Sequence, residues 1–408
     1  VILHCLKKIM TLKNKDFISI KRCDVCRAKN QELIFKINKF PLTGIYSKKG
    51  VSLKKFDNQF LICKKCGHGQ LKNQVDPIYL YQKQYAHRTS KSPLAVQMNN
   101  DFKKKLFNII GNKKFNCVLE VGCNDLFLAK ELKKYSKKVI GIDPIWGKEV
   151  KKIDNKVSVV GGFINDNLAV EKIKSCIKDR KIDLVVSSHT FEHVDNVRDS
   201  LEKILKLVDD NCLFVIEVPS LDSIVRNQHY DQIFHQHLHY FCESSIKRLI
   251  QNLNCTFLNI DYNYQIWGGN VAFAFVKKKS KLNKATNSYF NTNQIKQDYK
   301  SFRERCGKII DYLKNQKKPI VAFGAAQMLP ILAYHSKSNF SFCSYLFDDN
   351  KNIHNRYLPL VKLKIQKPIE SILKNSFVLI AANEMVRQIF NRLQKVNPLR
   401  IITWHNDF

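Results

Sequence analysis

The stretch NCVLEVGCNDLFLAKELKK, Asn116 to Lys134, decides the fold. Its apolar run (Val118, Leu119, Val121) stops at Gly122, and apolar residues at helical spacing follow at Leu126, Leu128 and Leu132. That reads as strand, glycine turn, helix. A glycine there lets the backbone approach a ligand closely, and the helix start beyond it offers free amides. Roughly 20 residues on, KKVIGIDPIW is a second strand ending in Asp143, a place where an acidic residue can hold both ribose hydroxyls of an adenosine ligand. A third strand, DLVVSSHTFEHV, ends at Ser187-Ser188-His189, and a fourth, CLFVIEVPS, ends at Glu217-Val218-Pro219. The polar residues gather at the carboxyl ends of strands, where open parallel α/β sheets bind ligands.

The glycine turn is not GxGxxG, since Gly122 is followed by Asn124-Asp125 and no further glycine. A nicotinamide dinucleotide needs those glycines for its pyrophosphate. S-adenosylmethionine (SAM) has no phosphate and fits. The expected cofactor contacts are Gly122, Cys123 and Asn124 in the turn, Asp143 and Pro144 after the second strand, and Ser188 after the third. Tyr85 joins them from the polar loop Tyr85–Ser90, which is placed to cover a ligand.

The chain has 408 residues, enough for two or three domains, and a net charge of +34 from 69 basic and 35 acidic residues. The lysines lie in many scattered Lys-Lys pairs rather than on one arginine-rich face. The charge therefore reads as a lysine-biased composition, and a nucleic-acid partner is not expected. The third strand end, Ser187-Ser188-His189-Thr190, also lacks the Asn/Asp-Pro-Pro-aromatic tetrad of base-amine methylation. No run of 18 apolar residues is present, and no signal-peptide pattern is read, so neither a membrane span nor export is expected.

Four of the 13 cysteines form two CxxC pairs, Cys23/Cys26 and Cys63/Cys66, with 36 residues between them. Two such knuckles complete a tetrahedral sulfur site suited to structural zinc. Ligation would supply about 10 kcal/mol of folding free energy to a module with little core of its own. The nine other cysteines are scattered, which is not a disulfide framework, and a reducing cytoplasm is the expected compartment.

The chain divides into a zinc module (15–80), a SAM domain (81–277), a linker with one long helix (278–317) and a second, smaller Rossmann-like unit (318–408). The helix carries the apolar stripe Ile295, Tyr299, Phe302, Cys306, Ile309 and Leu313. The last unit repeats strand, glycine turn and helix in KKPIVAFGAAQMLPILAYH, and its next strand ends in Asp348-Asp349, read as capping residues.

The stretch HYDQIFHQHLHYF, His229 to Phe241, packs four of the chain's 12 histidines among aromatics. Imidazole titrates near working pH, and apolar walls shift it further, so the stretch is a candidate for proton transfer.

The order CxxC…CxxC, LEVGCND, GIDP, SSHTFEHV, EVPS and YDQIFHQHLHYF resembles the three-domain SAM-dependent sugar C-methyltransferases, over essentially the whole chain. The resemblance implies an α/β chain: a central Rossmann-like class I SAM methyltransferase domain, an N-terminal zinc-binding module and a C-terminal Rossmann-like domain. It implies a nucleotide-activated keto-deoxysugar as substrate, with transfer to oxygen or nitrogen, or binding alone, as the alternative. The family's Tyr-His-Glu-His segment falls on Phe234, His235, Gln236 and His237, and its last histidine is the proposed general base, here His237. His235 and Gln236 are expected beside it as groups that orient the substrate or bond a hydroxyl. Three family positions differ: Phe234 replaces a tyrosine, Gln236 a glutamate and Leu126 a glycine. A family His-Gly-Gly-Ser segment reads Trp267-Gly268-Gly269-Asn270.

Overall fold

The computed structural model describes residues 16–49, 54–80, 88–278 and 287–404. The amino-terminal module holds β1 (Phe17–Ser19), β2 (Gln31–Phe40), β3 (Phe56–Cys63), β4 (Gly69–Leu71) and β5 (Asn73–Val75). β2, β3 and β4 form an antiparallel sheet, and β1 pairs with β5. Ile37, Phe40, Phe60 and Ile62 are buried on this sheet.

The central sheet holds β6 (Val118–Val121), β7 (Val139–Ile142), β8 (Val150–Lys152), β9 (Val157–Val160), β10 (Ile182–Ser188) and β11 (Val208–Pro219). Beyond the two-residue β12 (His239–Tyr240) it is completed by β13 (Thr256–Asn263) and β14 (Asn270–Val276). The spatial order is β13-β14-β11-β10-β6-β7-β9-β8. The five strands β9, β7, β6, β10 and β11 are parallel, while β14 runs antiparallel to both β11 and β13. Parallel strands covered on both faces need continuous apolar sequence, and β6, β7 and β9 are buried at every position. This is the class I SAM methyltransferase fold. Strand order reverses between β6 and β10, which opens a ligand crevice at their carboxyl ends.

The carboxy-terminal unit is a second, wholly parallel sheet of β15 (Ile320–Phe323), β16 (Tyr345–Phe347), β17 (Ile365–Gln366), β18 (Phe377–Ile380) and β19 (Arg400–Ile402), ordered β17-β16-β15-β18-β19.

These layers are joined more closely than their order along the chain suggests. β12 adds to the edge of the amino-terminal sheet, with His239 opposite Gln70 and Tyr240 opposite Gly69. The histidine stretch is thus shared between the cysteine module and the central sheet. The helix Thr292–Lys314 buries Ile295, Tyr299, Phe302, Cys306, Ile310 and Leu313. Ile310 is fully buried as well, and Ile309, expected in the stripe, packs partly buried against the same cluster. Tyr299 stacks on Phe35 of β2 with ring centroids 3.7 Å apart. One core cluster runs through that helix from β2 and β3 to the carboxy-terminal unit and includes Tyr230, Phe234 and Tyr240 of the histidine stretch.

Candidate active site and metal centre

The crevice begins at the turn after β6. Gly122 has φ +78°, and a Cβ there would stand 1.8 Å from the Thr190 hydroxyl. Only glycine lets the loop after β10 close over this turn. Asn124 and Leu126 also take left-handed backbone, at φ +42° and +67°. Asp143 follows β7 and is buried; one carboxylate oxygen accepts the Asn124 amide at 3.0 Å and the other the Ile145 amide at 2.9 Å. Burial raises its pKa, and these amides work against that rise. Each oxygen keeps a lone pair that a ribose hydroxyl can use, so the carboxylate fits the cofactor it was expected to hold. The Trp146 indole donates to the Asn124 carbonyl at 2.7 Å, and Thr89 and Ser90 donate to Asn124 and Asp125.

The other expected contacts are distributed unevenly. Pro144 is exposed, and Ser188 is half-buried with a hydroxyl that lacks a hydrogen-bond partner. The Cys123 thiol lies in the core against Gly141, so only its backbone is left for a ligand. Tyr85 lies outside the described residues.

The histidine stretch sorts its side chains by the strand it pairs with. His235 is 2% exposed. Its Nδ1 accepts from the Asn58 amide at 3.2 Å, and its other nitrogen donates to the Phe40 carbonyl. Burial pushes its pKa down to about 4. His239 is buried as well, 3.1 Å from His68 and 2.9 Å from the Val194 carbonyl. Gln236 accepts from the Thr43 hydroxyl at 2.9 Å and so ties the stretch to the amino-terminal module. His237 differs: it is partly exposed, and its Nδ1 has no hydrogen-bond partner. Burial and neighbouring His193 push its pKa down to about 3, against a smaller opposing pull from Glu192.

Two residues that the sequence did not single out complete this corner. Glu192 and His193 follow β10, and one ligand-type atom from each lies within 4.8 Å of one from His237. His193 Nδ1 donates to the Gln236 carbonyl at 2.7 Å, which turns Nε2 toward Glu192 at 3.8 Å. Glu192 is fully buried; burial works to raise its pKa, but His193 and the hydrogen bond from His189 hold it at about 2. His189 lies between Glu192 at 3.2 Å and Glu217 at 3.5 Å. Despite burial, these carboxylates raise its pKa to about 10. The available signal was the Glu-His pair inside SSHTFEHV at a strand end.

The four cysteines converge as their spacing predicts. Their sulfurs lie within 4.8 Å of one another, with Cys23–Cys66 at 3.7 Å and Cys26–Cys63 at 3.5 Å. Zinc–sulfur bonds of about 2.3 Å place the corners of a tetrahedron about 3.8 Å apart, so these residues could hold zinc. Each knuckle is closed by a main-chain hydrogen bond, Arg27 to Cys23 and Gly67 to Cys63, both at 2.8 Å.

Known proteins bear on this arrangement. The family profile described as a methyltransferase domain matches residues 86–260, and that described as a C-methyltransferase C-terminal domain matches residues 272–399. The chain thus joins a region similar to methyltransferase domains to one similar to C-methyltransferase C-terminal domains. It is similar to the C-methyltransferase NovU of Streptomyces niveus, at 23% identity over 217 residues, 53% of this chain and 50% of NovU. It therefore spans about half the length of that curated relative. Among solved structures, the N-methyltransferase NodS of Bradyrhizobium japonicum is 12% identical, over 47% of this chain and 99% of NodS, with a TM-score of 0.33. The 1,6-didemethyltoxoflavin-N1-methyltransferase of Burkholderia thailandensis is 15% identical, over 44% and 77% of the two chains, with a TM-score of 0.33. Such low scores carry no argument; the strand order carries the fold.

The departures from the pattern of the sugar C-methyltransferases that the sequence resembles have visible consequences. Leu126 keeps the left-handed backbone and buries its side chain. The Phe234 ring lies 4.2 Å from the His237 ring and offers no proton. Trp267 stacks on His229 at 3.7 Å and donates to Asp231 at 2.9 Å.

Proposed function

We propose that this chain is a SAM-dependent C-methyltransferase acting on a nucleotide-activated keto-deoxysugar, with His237 as the general base. The observation that carries the reading is the place of His237: a partly exposed ring whose buried Nδ1 has no hydrogen-bond partner, 4.9 Å from the ring of His193 in the loop after β10. Asp143 and the turn Gly122–Asn124 would hold the cofactor. When bound, SAM supplies an electrophilic methyl group. The sugar ketone acidifies its neighbouring C–H, and His237 takes that proton. Glu192, ionised and close by, offsets the imidazolium charge that results. The resulting enediolate carbon is the nucleophile for the methyl. Proton transfer by a positioned base contributes roughly 10²–10⁴-fold. The four cysteines would hold a structural zinc and take no part in the chemistry.

One observation favours a second reading, methyl transfer to oxygen or nitrogen or sugar-nucleotide binding alone. Phe234 cannot donate a proton, and the Gln236 side-chain oxygen Oε1 already accepts from the Thr43 hydroxyl. Solvent deuterium exchange at the carbon beside the ketone separates the readings. Exchange is expected with wild-type protein and a nucleotide-linked keto-deoxysugar. It should fall at least about 100-fold in His237→Asn, with S-adenosylhomocysteine binding intact. Absence of exchange, or equal exchange in the variant, overturns C-methylation by this base.

A further inference from the structure

We propose that Glu192, His193 and His237 form a second metal site, separate from the four cysteines, for a borderline divalent cation such as Zn²⁺. Three features support it. First, one ligand atom from each residue already lies within 4.8 Å of the other two, which small side-chain rotations bring to a common ion. Second, the site keeps free donor atoms. Glu192 Oε2 and His237 Nδ1 are buried without hydrogen-bond partners, while Glu192 Oε1, which bonds His189, lies 3.8 Å from His193 Nε2. His193 gives its Nδ1 proton to the Gln236 carbonyl, which leaves the Nε2 lone pair for an ion. Third, an outer shell is in place. A main-chain carbonyl fixes the His193 tautomer, as in most histidine metal sites. His189 bonds the other Glu192 oxygen.

Two imidazoles and one carboxylate select zinc, cobalt or nickel over magnesium or calcium, which prefer all-oxygen shells. Three protein ligands also leave a position open for solvent or a substrate oxygen. The functional consequence rests on His237 being the base. A coordinated His237 has no basic nitrogen to give, so an ion here inhibits proton abstraction, and removing it restores the reaction.

The test uses full-length protein with its cysteine site loaded with zinc. Cobalt(II) is titrated in and followed by d–d absorption, while bound zinc is measured in parallel. One further equivalent of cobalt should bind, without thiolate charge-transfer bands. His193→Asn and His237→Gln should each weaken it by more than the roughly 10–100-fold that losing an outer-shell partner costs. Both should keep their zinc and bind S-adenosylhomocysteine. In the same samples the extra ion should suppress deuterium exchange, and a chelator too weak to strip the cysteine site should reverse this. Cobalt bound with no exchange in metal-free wild type supports the site and overturns the base. No further cobalt, or equal binding in both variants, overturns the site.

Discussion

The Asn58 amide donates to His235 Nδ1 at 3.2 Å, leaving the other ring nitrogen to donate to the Phe40 carbonyl. Both partners belong to the amino-terminal sheet, and the ring lies edge-on to Phe40 and Phe56. His235→Ala would leave a cavity and a buried amide short of one acceptor. We expect a loss of about 2–4 kcal/mol in urea unfolding at pH 7.5. Folded variant should still bind S-adenosylhomocysteine; an unchanged unfolding midpoint would remove the structural role.

Asp143 should matter for the cofactor more than for the fold. In Asp143→Asn one side-chain oxygen remains to accept a backbone amide. Thermal stability should change little, while affinity for S-adenosylhomocysteine falls roughly 10–100-fold, the size of one or two lost hydrogen bonds to a charged group. Titration calorimetry checks this, and wild-type affinity in the variant would place the ribose elsewhere.

Glu384 gives the stability a pH dependence with a definite sign. Burial, with a contribution from Asp231, raises its pKa from 4.5 to about 7. Between those values the folded state binds more protons than the unfolded state, so this group's contribution is fully present below pH 4.5 and is lost as pH rises through 7. Glu384→Gln should remove the loss. The variant should exceed wild type by about 1–3 kcal/mol at pH 8 and approach it at pH 5. Parallel curves at both pH values would contradict this.

The cysteine cluster should carry about one zinc per chain by metal analysis. Cys63→Ser should lose the ion and melt the amino-terminal sheet, since ligation supplies on the order of 10 kcal/mol to such modules. A folded Cys63→Ser chain that keeps its zinc after a weak chelator has emptied the Glu192–His193–His237 site would argue against a four-cysteine site.

Much of this was legible in the residues. Mainly apolar runs mark β6 and β7 because buried parallel strands favour them, and the position of Asp143 follows from where β7 stops. The cysteine spacing places four sulfurs in a cluster without reference to the rest of the chain. The active corner is harder to read. His193 is set by a carbonyl 43 residues later, and no local pattern reports such a contact. His235 and His237 look equivalent in HQHLHYF; what separates them is that Asn58 and Phe40 close around the first. Leu126 shows the reverse problem: the residue type argues against left-handed backbone, and burial of its side chain holds it there.

The edge pairing of β12 with β4 limits how this protein can have been assembled in evolution. A cysteine module exchanged as a free-standing cassette would leave that edge unpaired. Two residues of the histidine stretch, some 170 positions downstream of Gly69-Gln70, need that module's edge to complete their backbone hydrogen bonds. Recombination between relatives should therefore succeed only where both segments are inherited together, and a chimera joined between them should expose an unpaired strand and aggregate.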